Sequence, residues 1–369
     1  MNRSRRIAIV GAGVAGLALA ILATRRGFQV SVYERGSEIS SMGAGVTLWS
    51  NAMYVLHQMG LGEEIERVGG TPHFIRQFDP QGAPLGEFDI DAVNALSGFT
   101  SVTVLRRDLM RILAGQLEAL GGQVYFGCPV TREKVEVLQQ GFDLVVGADG
   151  RMNSVVRQTL YPDSVRPCYQ GFINIIGISL LNEGILDNVI HDVRGPGERF
   201  GIVPVKSGVC YWAAAWRAEM DQDRPVSNWY DEMHQRFSGW FMPVKRVLKS
   251  SAASSLNRIF VHDLDPLPYW HQGKVVILGD AAHAPLPTSG QGACQALEDA
   301  WHLARLLDER ADLEEVLSDF YRLRIAKVSA AQSIGRQLAQ GIFAEPPEPQ
   351  PVASAMSAEQ LSRLWMQGL

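Results

Sequence analysis

Cysteine is scarce. The 369 residues hold four, Cys128, Cys168, Cys210 and Cys294, with no CxxC pair and no zinc spacing among them. Such placement suits reduced thiols in a cytoplasmic protein, although a count alone does not exclude one disulfide. Basic excess is missing too: the formal net charge is −5, so no global field recruits nucleic acid or acidic membrane. No spacing of His, Cys and acid suggests a metal, there is no internal repeat, and no membrane span is expected. The apolar run from Ile7 to Ala23, preceded by Arg3, Arg5 and Arg6, has the look of a signal peptide. Against that, glycines at 11, 13 and 16 would weaken such a helix, and Arg25, Arg26 and Gly27 fit a helix C-terminus.

Glycine is plentiful at 36 residues, and with 46% hydrophobic and 20% charged content the composition is that of a soluble, turn-rich α/β chain. At roughly 150 residues per domain, two domains are expected. The segment Ile7 to Glu34 organises the rest. It reads as a strand, a tight turn over Gly11-Ala12-Gly13-Val14-Ala15-Gly16, a helix, and a second strand ending at Glu34 and Arg35. Gly11 permits the turn, Gly13 lets backbone approach a pyrophosphate, and Gly16 lets the helix lie close to the sheet. Glu34 stands where a carboxylate meets a ribose hydroxyl. The segment alone leaves NAD and FAD equally open.

Further on, Met42 to Trp49 is relieved by glycine, so backbone at Gly45 and Val46 can pass close to a flat ligand or simply form a βα turn. Helices are predicted over 51–59, 106–120, 227–248 and from about 314 to 341, with another after Gly290-Gln291-Gly292. Short strands are predicted within 71–88 and at 123–126, and buried strands at 143–150 and 274–280. The alternation over 172–216 predicts a half-exposed antiparallel sheet. Glu345 to Pro351 is a proline-rich linker, and 358–366 an amphipathic tail. The expected division is a discontinuous nucleotide domain (1–70, 98–165 and 268–345), a second domain (71–97 and 166–267), and a linker with tail (346–369).

Three segments stand together: GAGVAG with Glu34, GADG at 147–150, and GDAAHAPLPTSGQGACQALEDA at 279–300. Each puts small residues and an acid at the C-terminal end of an apolar strand, where open α/β sheets bind ligands. On these motifs the chain resembles the single-component FAD-dependent aromatic hydroxylases, the group of para-hydroxybenzoate, salicylate, 6-hydroxynicotinate and urate hydroxylases. The resemblance runs to about residue 340. It implies a Rossmann-like FAD-binding domain with an interleaved antiparallel-sheet substrate domain. It also implies bound FAD, transient NAD(P)H, dioxygen and a small aromatic or heteroaromatic substrate, hydroxylated through a C4a-hydroperoxyflavin by a monomer or homodimer. Gly11, Gly13 and Gly16 would hold the pyrophosphate, Glu34 the ribose, Arg106 and Asp149 the cofactor, and Asp280 the ribityl hydroxyls. Helix capping is a compatible reading of both aspartates.

Backbone N–H groups of Gly290, Gly292 and Ala293, at a helix start, suit the negative charge of a reduced flavin. The hairpin that commonly precedes the DG motif is short between Phe126 and Asp143, which leaves Val130 as the candidate backbone contact at the adenine end. Arg199 and Tyr211 are the candidate substrate-facing pair, an arginine for an anion and a tyrosine for a ring hydroxyl. A surface ion pair and a core tyrosine are their ordinary alternatives. His283 is expected to make a structural hydrogen bond, and Trp49, Trp212 and Trp216 to pack. Other functions on the same fold are a halogenase, a reductase, or a non-catalytic FAD-binding helper. The absence of a WxWxIP segment lowers the first, and the intact GQG loop argues against the last.

Overall fold

The computed structural model describes residues 5–40, 43–162, 164–181, 186–206, 208–251, 255–344 and 356–369. Ile7, Ala8, Ile9, Leu144, Val145, Val146, Val276 and Ile277 are all fully buried. Strands apolar on both faces need cover on both, which parallel sheets obtain from crossover helices. These strands join a six-stranded sheet in the order His271–Gln272, Val275–Ile277, Leu144–Gly147, Arg6–Val10, Gln29–Tyr33, Gln123–Tyr125. All neighbours run parallel except the short edge pair, His271–Gln272 with Val275–Ile277. The helix Val14–Arg25 packs between the helices Arg106–Ala119 and Gly292–Glu309. Its residues Val14 to Ala23 are all buried, so the apolar run from Ile7 to Ala23 is a buried strand, a glycine turn and a core helix. No described helix is long and apolar enough to cross a membrane.

The second sheet has seven strands in the order Asn257–Asp263, Cys168–Leu180, Val209–Arg217, Glu198–Pro204, Val189–Gly195, Phe74–Phe78, Pro84–Asp89. It is antiparallel apart from the pairing of Val189–Gly195 with Phe74–Phe78. Its outer face is aromatic: Phe200, Trp212 and Trp216 pack with Trp229, Met233 and Phe237. Trp212 also donates to Ser179 Oγ at 2.9 Å. Both tryptophans are therefore packing residues.

Two expectations need correction. The helix predicted over 227–248 is two helices, Val226–Phe237 and Met242–Lys249, because Pro243 fits only a first turn, where its missing N–H costs nothing. The segment before the DG motif is not a shortened hairpin. It is the helix Arg132–Gly141, started by Thr131, whose hydroxyl accepts from Lys134 N, and seated by buried Val135 and Leu138 three residues apart. The proline-rich linker and Met42 lie outside the described residues. Beyond the linker, Ser357 and Gln360 form a capping box that starts the helix Ala358–Met366. That helix packs against Ser50–Gln58 and Ile90–Ser97.

His302 is buried and His191 half-buried. Burial, aided by Arg324, pulls His302 down to about 3, and burial, aided by Arg76, pulls His191 down to about 4, from an ordinary 6.5. Both are neutral in the folded chain at pH 7, and the unfolded chain binds more protons as pH falls below 6.5. Their contribution is therefore complete above pH 6.5 and drains away as pH drops toward 4 and 3, at up to ~1.4 kcal/mol per pH unit for each. Urea unfolding from pH 7 to 4.5 should follow that slope, and His302→Gln should flatten it. An unchanged slope in the variant would remove His302 from the account.

Candidate active site

In the first turn, Gly11 has φ 104° and a Cβ there would lie 2.3 Å from Ala148 O, while one on Gly16 would lie 2.0 Å from Gly11 O. Backbone packing thus demands both glycines. Gly13 differs: nothing lies within 4 Å of its Cβ position. It caps the helix Val14–Arg25 without any side-chain hydrogen bond, so the first N–H groups face open space. Glu34 stands across the turn, its carboxylate accepting from Ala12 N at 2.9 Å and Gly36 N at 2.8 Å. Val14 and Ala15 are buried, and Arg35 is exposed at the rim. Backbone N–H groups of Cys128 and Gly127 donate to the carbonyls of Glu34 and Gly36, which brings half-buried Val130 to the same edge.

The two aspartates have parted roles. Asp149 accepts from Ser154 Oγ at 2.5 Å and from Val156 N at 3.1 Å, capping the helix Val155–Leu160, and burial pushes its carboxyl up despite those bonds. Asp280 begins a short helix and accepts from no described residue. Its Oδ1 lies 3.9 Å from a Cβ position on Gly292. Arg157, unnoticed in the sequence, ties the two loops by donating to Ala281 O at 3.0 Å and Arg151 O at 2.6 Å. Arg106 packs its stem against Gly43. Burial lowers its guanidinium against the pull of Asp280, and it forms no hydrogen bond or ion pair with a described residue.

Beneath the GQG loop lies a charge cluster that sequence reasoning missed. Asp299 accepts from Gly279 N at 2.8 Å, His283 Nε2 at 2.5 Å and Arg324 Nε at 2.8 Å. Burial works to raise its carboxyl, but His283 and Arg324 together hold it at about 2. Glu298 accepts from Asn51 Nδ2 and Arg324 Nη1, both at 2.6 Å, and from Lys327 Nζ at 2.6 Å. Asn51 and Gln295 in turn donate to Gln291 Oε1. Lys327 also donates to the carbonyls of Trp365 and Gln367, so the C-terminal segment closes the cluster. Gly290 is left-handed at φ 63°, and the helix Gly292–Glu309, with Ala293 its second residue, starts without a side-chain cap. A Cβ on Gly290 would lie 3.1 Å from Trp49 Nε1, a buried donor with no partner.

The inner face of the seven-stranded sheet is built by register. Across it, Asp192 stands opposite Gly201, Gly201 opposite Ala213, and Ala213 opposite Ile176; in the next row, Arg199 is opposite Ala215 and Ala215 opposite Asn174. Gly201 has nothing within 4 Å of its Cβ position. Small residues thus leave space in the middle of the face. At one end, Tyr211 lies against Gly45 and bonds Thr47 Oγ1 at 2.9 Å. Gly45 and Val46 form a two-stranded ladder with Leu105 and Val104. At the other end, Ala215 packs with Leu286 and Phe343. Burial pushes the Tyr211 phenol far up, so it is a donor and not a base. Arg199 Nε meets Asp192 Oδ1 at 2.5 Å, and Arg194 Nε meets Oδ2 at 2.9 Å. Asp192 is buried, which alone would raise its carboxyl, but the two arginines hold it low.

These groups fit a flavin dinucleotide: an opening at Gly13, two uncapped helix starts, and an arginine and a carboxylate that make no side-chain hydrogen bond with a described residue. A family model described as an FAD binding domain matches residues 5–324. The chain is 32% identical over 338 residues to the aurachin C monooxygenase/isomerase of Stigmatella aurantiaca, covering 89% of this chain and 87% of that one. It is 30% identical to the FAD-dependent urate hydroxylase of Klebsiella oxytoca, over 87% and 86% of the two chains. Among solved structures, Klebsiella pneumoniae HpxO complexed with FAD and uric acid shares the fold with a TM-score of 0.84 at 24% identity, over 94% and 90% of the chains. The protein belongs to the FAD-binding-domain family of aromatic hydroxylases, with the para-hydroxybenzoate hydroxylase-like fold. It is an enzyme, a flavoprotein monooxygenase whose cofactor is FAD.

Replacing Asp280 by Ala removes a free carboxylate acceptor, and charge-assisted hydrogen bonds contribute about 1.5–3 kcal/mol. Equilibrium dialysis should show FAD retention weakened roughly ten-fold or more. Undiminished occupancy would count against Asp280 as a cofactor ligand.

Proposed function

We propose that the chain is an NAD(P)H- and dioxygen-dependent hydroxylase of a small aromatic or heteroaromatic compound. Its FAD-binding domain, 1–70, 98–165 and 268–345, carries a substrate domain formed by 71–97 and 166–267. The observation that supports it best is the patch of small inner-face residues at Gly201, Ala213 and Ala215. A flat ring is the shape that fills it. The names of the relatives, a urate hydroxylase among them, agree with a heteroaromatic ring.

FAD, when bound, would supply the redox chemistry between NAD(P)H and dioxygen. The chain's own residues bind, orient and exclude water. Gly11, Ala12, Gly13, Val14, Ala15 and Gly16 hold the pyrophosphate at a helix start, with Glu34 on the ribose and Arg35 and Val130 at the adenine rim. Arg106 and Asp280 would hold the middle of the cofactor, the first as a donor and the second as an acceptor. Asp149 acts through its capped turn, which shapes the DG loop. Gly45 and Val46 pass their backbone beside the flavin ring. The N–H groups of Gly290, Gly292 and Ala293 are aimed where negative charge develops, and need no reorganisation to meet it. NAD(P)H would bind transiently, since the one glycine fingerprint is assigned to FAD.

Tyr211 is a protonated donor steadied by Thr47, suited to a hydrogen bond with a ring oxygen. Arg199 is pre-oriented by Asp192, its terminal nitrogens free to meet an anionic edge. Phe88 stands edge-on to Trp49 beside the GQG loop and helps keep the cavity dry.

Purified protein should be yellow, and a panel of phenols, hydroxypyridines, quinolones and urate should contain a compound that accelerates NAD(P)H oxidation and is recovered with one added oxygen from labelled dioxygen. If FAD binds but no aromatic stimulates reduction, the reading fails. With such a substrate, Tyr211→Phe should lower product formed per NAD(P)H consumed several-fold, in line with one lost hydrogen bond of about 1 kcal/mol. Unchanged coupling would return Tyr211 to a packing role.

A further inference from the structure

Asn174 interrupts the run Phe172-Ile173-Asn174-Ile175-Ile176 in the long strand Cys168–Leu180, next to the edge strand of the seven-stranded sheet. Its register puts it opposite Ala215 on one side and Ile259 on the other, on the inner face. Only 8% of the residue is exposed, yet its carboxamide makes no hydrogen bond with any described residue. Neither amide atom is fully shut away without a partner, so the carboxamide keeps a small surface open on the inner side of the sheet. An apolar residue there would leave that surface without a polar group.

The other polar groups of this face are accounted for. Tyr211 has Thr47, and Asp192 has Arg194 and Arg199. Gln77, opposite Asp192, and Asn257, opposite Ile176, sit toward the sheet's edges and are more open to solvent. Beside Asn174, Ala215 packs with Leu286, which follows Pro285 in the loop leading to Gly290. The amide therefore opens into the space between the sheet and that loop, at the end of the bare patch away from Tyr211.

We propose that Asn174 is a specificity-determining residue that hydrogen-bonds a neutral polar edge of the aromatic substrate: a hydroxyl, a ring carbonyl or a ring N–H. A carboxamide carries one acceptor oxygen and two donor hydrogens, so it satisfies any of these. It brings no charge to offset a carboxylate's desolvation, which an apolar surround of Ala215, Ile176 and Ile259 makes costly. A carboxylate-bearing ring must therefore orient its anion toward Arg199, with its neutral edge at Asn174. The inference rests on the hydroxylase reading and deepens it.

The test uses the FAD-loaded enzyme and four probes: naphthalene, 2-naphthol, 2-quinolone and naphthalene-2-carboxylate. Binding is followed by perturbation of the flavin absorbance and fluorescence. The wild type should hold 2-naphthol or 2-quinolone at least ten-fold more tightly than naphthalene. Asn174→Leu should shrink that ratio to within about three-fold while leaving naphthalene binding and FAD occupancy unchanged. Asn174→Asp, close to isosteric, should weaken naphthalene-2-carboxylate more than 2-naphthol, and serves if the leucine variant does not fold. An unchanged ratio in Asn174→Leu, or an Asn174→Asp variant that treats the carboxylate and the naphthol alike, overturns the proposal. If the wild-type flavin responds to none of the four, the aromatic-site reading falls first and this inference with it. A response that ignores Asn174 leaves the hydroxylase reading standing alone.

Discussion

Two adjacent carboxylates inside an apolar helix, Glu298 and Asp299, are the constraint on which the site depends. Neither is exposed to water, so each must be met by cations and donors placed to within hydrogen-bond distance. The cations come from the long helix Leu313–Phe343, as Arg324 and Lys327. The donors come from the places the cofactor must touch. Gly279 N and His283 belong to the GD loop, Asn51 to the helix start after Trp49, and Gln295 hands the contact on to Gln291 in the GQG loop. A buried pair of this kind contributes little net stability, because desolvation offsets most of the Coulombic gain. Its value is geometric: three loops that share one set of acceptors cannot drift independently. The C-terminal segment joins the same set through the carbonyls it presents to Lys327.

Around that rigid cluster the structure separates polar groups that are satisfied from those that are not. Asp149, Asp192, Asp299 and Arg157 have their partners within the protein and shape its loops. Asp280, Arg106 and Asn174 make no side-chain hydrogen bond with a described residue, and the indole nitrogen of Trp49 is buried without one. Native interiors rarely leave such groups unpaired without a reason. The contrast between Asp149 and Asp280 is instructive, since both end an apolar strand beside a glycine and only one spends its carboxylate on a helix cap.

The fold class was legible because its signals are local. A glycine turn between a buried strand and a helix is read from twenty residues, and strands buried on both faces announce a parallel sheet. What the sequence concealed are contacts between distant segments. Glu298 and Asp299 stand out only as acids on an apolar helix, and their partner Arg324 is in the next helix, with no spacing rule to link them. The cap at Thr131 could have been found, since a threonine ahead of buried Val135 and Leu138 is a helix start. It was masked by the expectation of a hairpin. Pro243 likewise marked a helix break within a stretch whose apolar spacing ran on across it. Asn174 reads as one polar residue in an alternating strand, and only its low exposure on the inner face separates it from a solvated one.

The seven-stranded sheet is the reason a cavity exists at all. Its outer face carries Phe200, Trp212 and Trp216 against the helices Val226–Phe237 and Met242–Lys249, so the fold's second core is complete without help from the inner face. That releases the inner positions of the same strands from packing duty, and Gly201, Ala213 and Ala215 occupy them. Strand alternation couples the two: each large residue outward places a neighbour inward, and the small neighbours set the depth of the space. The ends of that space are then fixed by the first domain, through Tyr211 on Gly45 and Ala215 on Leu286. Selectivity for a ring must therefore come from the few polar side chains at the margins of the patch, because its middle offers a ring only shape.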